Sequence, residues 1–156
     1  MRALRAAASN AGLVSVVTQP RLADINGHGT RLNIKSNVDI VIYEEDHLTR
    51  NLLREWLGEA GYRVRNGAIR EARCSRPADL VIASVYMPKQ SGSRWVRDIK
   101  AAHPGIPLIA ISGQFRSGLC SDGPAAQALG VQQVIAKPLL RADLIGAVRG
   151  MIGTPH

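Results

Sequence analysis

From residue 38 onward the chain alternates between apolar runs and segments with helical spacing. VDIVIY (38–43) is an apolar run rich in β-branched residues, the pattern of a strand covered on both faces. An acidic loop follows, and then Leu48, Leu52, Leu53, Trp56 and Leu57 recur at helical spacing until Gly61 supplies a stop signal. Tyr62 to Arg65 reads as a short strand, and AIREARCS (68–75) as a weak helix that must end before Pro77. ADLVIASV (78–85) is a buried strand. SRWVRDIKAA (93–102) is a helix with Trp95, Val96 and Ile99 inward, and PLIAIS (107–112) is a further strand. PAAQALG (124–130) makes a short helix, VQQVIA (131–136) a last strand, and RADLIGAVRGMI (141–152) a closing helix with Leu144, Val148 and Ile152 on one stripe. Five strand–helix alternations predict an α/β fold, a doubly wound parallel sheet with right-handed crossovers. In such sheets a binding crevice forms beyond the carboxyl ends of the strands.

Residues 1–37 show no sustained period and mix short apolar runs (GLVSVVT) with turn formers (NGHG, QPR). They read as a flexible basic extension preceding a domain at 38–152, with 153–156 as a tail. An over-long start assignment gives the same pattern. A targeting peptide is the competing reading, disfavoured by the short, interrupted apolar stretch. GHGT shares two glycines with a phosphate loop, but no helix bearing a lysine follows.

Composition narrows the class. With 46% hydrophobic and 21% charged residues, the 156-residue chain is that of an ordinary globular domain. Cys74 and Cys120 lie far apart without metal-ligand spacing and read as reduced thiols, which fits a cytoplasmic location. No apolar run approaches the roughly 18 residues of a membrane span. The net charge of +8 is shared: residues 1–37 hold five bases against Asp24 alone, and the remainder holds 15 bases against 11 acids. Bases this scattered make nucleic acid an unlikely partner.

Candidate chemistry gathers where the strands end. The first delivers Glu44 and Glu45, the third Ser84, the fourth Ser112 followed by Gly113, and the fifth Lys137 followed by Pro138. Over residues 38 to about 152 the stretches IVIYEEDHLTRNLLREWLGEAGY, ADLVIASVYMPKQSG, PLIAISG and ALGVQQVIAKP resemble those of bacterial response-regulator receiver (CheY-like) domains. The resemblance implies a flavodoxin-like (βα)5 fold with strand order 2-1-3-4-5. It also implies an acidic pair that holds magnesium, an aspartate four residues before the proline that accepts a phosphoryl group from a histidine kinase, a Ser or Thr switch residue, and a lysine. Carried over, Glu44 and Glu45 match the acidic pair, Ser112 the switch residue and Lys137 the lysine, while the Tyr86 backbone carbonyl faces the metal. The acceptor position, four before Pro88, is Ser84.

That departure implies a degenerate member. A neutral alcohol without an adjacent base is a poor nucleophile. Losing one carboxylate, with each Glu a methylene longer than Asp, implies weak or absent magnesium binding, with Glu45 and the Tyr86 carbonyl as the ligands of any that remains. Lys137 is then expected to pair with Glu44 or Glu45 while Ser84 donates a hydrogen bond, locking the crevice from within. Val134, three residues before the lysine, stands where receivers often carry a swinging aromatic. GQFRSGLCSDG (113–123) reads as a surface loop that delays the next helix, with Phe115 and Leu119 as candidate anchors.

The expected function is that of a stand-alone pseudo-receiver in a phosphorelay, not an enzyme, acting by protein–protein interaction. The chain ends directly after its last helix, so output is expected to pass through a histidine kinase, phosphotransfer protein or regulator. The face of the fourth helix, fifth strand and fifth helix is a possible homodimer surface. The alternative is an α/β enzyme or small-ligand-binding protein using the same crevice, since Ser–Lys pairs act as nucleophile and base. Against it, Ser84 lacks a nucleophile elbow and no dinucleotide fingerprint follows the first strand. Modification of Ser84 by a serine kinase is the remaining reading, opposed by the burial of a strand end.

Overall fold

The structure, a computed structural model, describes residues 37–72, 75–86, 89–114 and 123–155. Five strands, β1 (Asp39–Tyr43), β2 (Arg63–Asn66), β3 (Leu80–Ser84), β4 (Leu108–Ser112) and β5 (Gln133–Ala136), form one sheet. They lie in the order β2-β1-β3-β4-β5, every neighbouring pair parallel. The helices among the described residues are α1 (His47–Glu59), α2 (Lys89–Ala102), α3 (Pro124–Leu129) and α4 (Arg141–Ile152).

Strand residues alternate between the two faces, and both faces are covered, which is why β1, β3 and β4 are apolar except for Asp39, Ser84 and Ser112 at their ends. Ile40, Ile42, Leu80, Ile82, Ile109 and Ile111 pack on one side against Leu53 and Leu57 of α1 and Leu144 and Val148 of α4. Val41, Tyr43, Val81, Ala83 and Ala110 pack on the other against Val96 and Ile99 of α2 and Ala126 of α3. The chain beyond α4 returns to the body, where the Tyr62 hydroxyl donates to the Gly153 carbonyl at 2.6 Å.

One expectation is corrected. AIREARCS supplies no α-helix among the described residues: 69–71 turn and Ala72 takes 3-10 geometry, while Arg73 and Cys74 lie outside them. The bonds there, from Glu71 N–H to the Ala68 carbonyl at 3.0 Å and from Ala72 N–H to the Ile69 carbonyl at 3.4 Å, span three residues, the tighter pattern used in short pieces. The fourth and fifth helices foreseen after β4 and β5 are therefore α3 and α4. In α1, Leu53 and Leu57 are buried, but Leu48 and Leu52 face outward, because spacing identifies a helix without fixing how wide its buried stripe is. Cys120, Phe115 and Leu119 also lie outside the described residues.

Candidate functional site

The carboxyl edge of the sheet is organised around one side chain. Glu44 follows β1 directly and is buried, with 6% of its surface exposed. Its Oε2 accepts from the Ser84 hydroxyl at the end of β3 and from Lys137 Nζ, just beyond β5, at 3.1 Å. Its Oε1 accepts from the Tyr86 hydroxyl and from the Asp46 backbone N–H at 2.9 Å. The four donors come from the ends of three strands that are far apart in sequence.

Local structure sets each donor in place. Asp46 is the N-cap of α1, with Oδ2 accepting from Thr49 N–H at 2.7 Å. That extended cap residue turns its own N–H back toward Glu44. Arg50 on the first turn of α1 donates to the Glu44 carbonyl at 3.0 Å. Lys137 extends the β5 ladder, its N–H bonding the Ser112 carbonyl at 3.0 Å, and precedes a cis Lys137–Pro138 bond. The Lys137 ammonium lies 5.4 Å from the centre of the Tyr86 ring. Beside this cluster an open depression of about 410 Å³ is lined by Val85, Tyr86, Ser112, Gly113, Gln114 and Lys137.

Burial pushes the Glu44 carboxyl up, but the hydrogen bonds from Ser84, Tyr86, the Asp46 backbone and Lys137 outweigh it, so the group is held below the usual carboxylate range. The Tyr86 phenol is pushed up to about 12 by burial, by its hydrogen bond to Glu44, and by the charges of Glu44, Glu45 and Asp46. The cluster at neutral pH is thus a carboxylate, an ammonium and two un-ionised hydroxyls.

The sequence-derived candidates separate here. Glu44, Ser84 and Lys137 come together. Glu45 is exposed, and Glu44 rather than Glu45 reaches the lysine. Ser112 is buried nearby, its Oγ accepting from Gln114 N–H at 3.2 Å. Val134 is buried under the face that carries α2 and α3. One reading is corrected and one point was not legible beforehand. Ser84, read as an alcohol without an adjacent base, has beside it the same Glu44 carboxylate that pairs with Lys137, and Tyr86 contributes its side chain, where sequence had assigned only its carbonyl. The Asp46 cap was within reach of the sequence, as Asp-x-x-Thr ahead of an apolar helix. Nothing local marks the Tyr86 hydroxyl.

A sequence profile of the response regulator receiver domain matches residues 40–149. The chain belongs to the response regulator receiver family. This receiver is 30% identical over 122 residues to the transcriptional regulatory protein GltR of Pseudomonas aeruginosa, covering 72% of this chain and 48% of GltR. It spans between 24% and 52% of the length of the curated relatives it matches. Among solved structures, a CheY-like receiver domain protein from Methanospirillum hungatei superposes with a TM-score of 0.61 at 18% identity, covering 75% of this chain and 94% of that one. The receiver domain of a sensor histidine kinase from Pseudomonas aeruginosa, solved with magnesium coordinated in its active-site cleft, gives 0.58 at 23%, covering 76% and 100%. The fold is the CheY-like, flavodoxin-like one, and the receiver is a domain of two-component signalling. Domains of this family are generally signalling modules without enzymatic activity of their own, and they interact with kinases or effectors. Among the described residues no helix is long and apolar enough to cross a membrane.

Proposed function

We propose that this receiver is a degenerate one that signals without phosphorylation, through a crevice closed by its own side chains. The observation that carries the proposal is the occupation of Glu44: the lysine and the strand-end hydroxyl that a phosphoryl group would engage are both spent on a carboxylate from β1. Ser84, at the position matching the phosphoacceptor, is 2% exposed. The carboxylate beside it is a weak base, because its proton affinity is lowered by the same hydrogen bonds. An alcohol so placed is not activated for attack on phosphorus. The enzyme reading loses support for a related reason. A Ser–Lys mechanism needs an unpaired amine facing the serine, and Lys137 is paired with Glu44.

Magnesium does not suit this donor set. A hard divalent cation takes oxygen lone pairs, preferably from carboxylates that offset its charge. Glu44 directs its oxygens at four donors, one of them cationic, and Glu45 alone is a single exposed ligand. Output on this reading passes through contact with another signalling protein in the cytoplasm, a histidine kinase, phosphotransfer protein or regulator. The face of α3, β5 and α4 is a candidate for that contact and for self-association.

The test is to add magnesium with beryllofluoride, or with acetyl phosphate, and to follow the fluorescence of the half-buried Trp56 and Trp95 together with intact mass. Neither signal should change in the unmodified protein. A response confined to variants that carry Ser84→Asp supports the reading. A saturable response, or a hydroxylamine-sensitive mass increase, in the unmodified chain overturns it.

A further inference from the structure

Ser84 is not the only residue set against a cation at this edge. A carboxylate offers about four lone-pair positions, and Glu44 receives four donors: the Ser84 hydroxyl and Lys137 on Oε2, the Tyr86 hydroxyl and the Asp46 N–H on Oε1. Asp46 N–H is fixed by the start of α1, and Lys137 and Ser84 occupy the other oxygen. Tyr86 is the donor on Oε1 that belongs to a side chain, and with 51% of its surface exposed it is much the more open of the two hydroxyl donors, Ser84 being 2% exposed.

We propose that the Tyr86 hydroxyl is an independent bar to divalent cations, capping the Glu44 oxygen that a metal approaching from solvent needs. The inference rests on the locked crevice above and extends it. Restoring an anion at position 84 alone leaves Oε1 capped, so it does not by itself rebuild a magnesium site. Removing the Tyr86 hydroxyl frees that oxygen, while a phenylalanine keeps the ring beside Lys137. The geometry therefore assigns a cation-excluding role to a position whose side chain sequence reasoning had left out.

The experiment uses the full chain and Mn²⁺ as the probe for a hard divalent cation, with free Mn²⁺ followed by electron paramagnetic resonance. Four proteins are compared: unmodified, Tyr86→Phe, Ser84→Asp, and the double variant. The unmodified chain should leave Mn²⁺ free. The double variant should bind at least about tenfold more tightly than Ser84→Asp, the scale of one hydrogen bond to a charged group. Should Ser84→Asp lose the near-ultraviolet circular dichroism of the fold, Ser84→Glu with and without Tyr86→Phe makes the same comparison, again with an anion at that position. Equal affinities within the pair overturn the role given to Tyr86 and leave the locked reading intact. Tight binding by the unmodified protein overturns the locked reading itself.

Discussion

Glu44 is a buried carboxylate, which on its own would be costly to keep charged. Its four donors reverse that cost, and the sign of the balance makes a prediction. The folded carboxyl holds its proton less tightly than the unfolded one, whose reference is 4.5. The stability it contributes is therefore complete above about pH 4.5 and is lost as pH falls through the lowered folded value. Lys137→Ala removes a partner whose side chain is 25% exposed and should cost about 1–3 kcal/mol. Glu44→Gln strands the ammonium and should cost more, about 3–5 kcal/mol, the scale for breaking a buried pair. Thermal or urea unfolding measures both. A Lys137→Ala protein as stable as the parent, or more so, means that the lock does not exist.

At the scale of elements, the strands were the most readable part of the chain. A parallel sheet covered on both faces keeps the middles of β1, β3 and β4 apolar, with polar residues only at their ends, Asp39 at the start of β1 and Ser84 and Ser112 closing β3 and β4. Helices were readable by period, and the inward faces of α2 and α4 with them, as the buried Val96, Ile99, Leu144 and Val148 show, but the width of the buried stripe on α1 was not, as Leu48 and Leu52 show. Away from the crevice, contacts between elements were not readable. Tyr43 of β1 pairs through its hydroxyl with His103 Nε2 just beyond α2, at 2.7 Å, and meets Trp95 edge-on at 5.9 Å. Gly67, after β2, lies so close to the Tyr43 ring that an added Cβ would sit 2.5 Å from Cζ. The reason is geometric: residues 60 apart in sequence share no local pattern. His103 is held below its ordinary value of 6.5 by burial and then by the Arg65 charge on β2. As pH falls below about 6.5 the unfolded chain takes up a proton before the folded one does, so stability should decline there. His103→Gln should flatten that limb in urea unfolding between pH 8 and 5. An unchanged slope would mean that the imidazole does not report on this packing.

For the whole molecule, the crevice was half visible in advance, and the half that was missing is long-range. Repeated strand–helix units place Glu44, Ser84, Ser112 and Lys137 at one edge by topology alone. Which of them bond to which depends on side-chain reach across the strand order, and no single segment encodes that. The outcome is a tie between strand ends: Glu44 and Lys137 are 93 residues apart, and their bond spans from beyond β1, past β3 and β4, to beyond β5. β5 is an edge strand, held to the sheet on one side by β4. Besides the packing of Val134 and Ile135 in the core, its carboxyl end is secured by the β4 ladder and by this ionic contact. Local opening follows the elements with the fewest such constraints. Releasing the tie with Lys137→Ala should therefore speed amide hydrogen exchange selectively in β5 and the first turn of α4. Exchange in β1 and β3, enclosed between strands on both sides, should move much less. Mass-spectrometric exchange on the full chain resolves the two regions. Uniform acceleration across all five strands would show that Lys137 contributes only to global stability and does not fasten the sheet's far edge to β1.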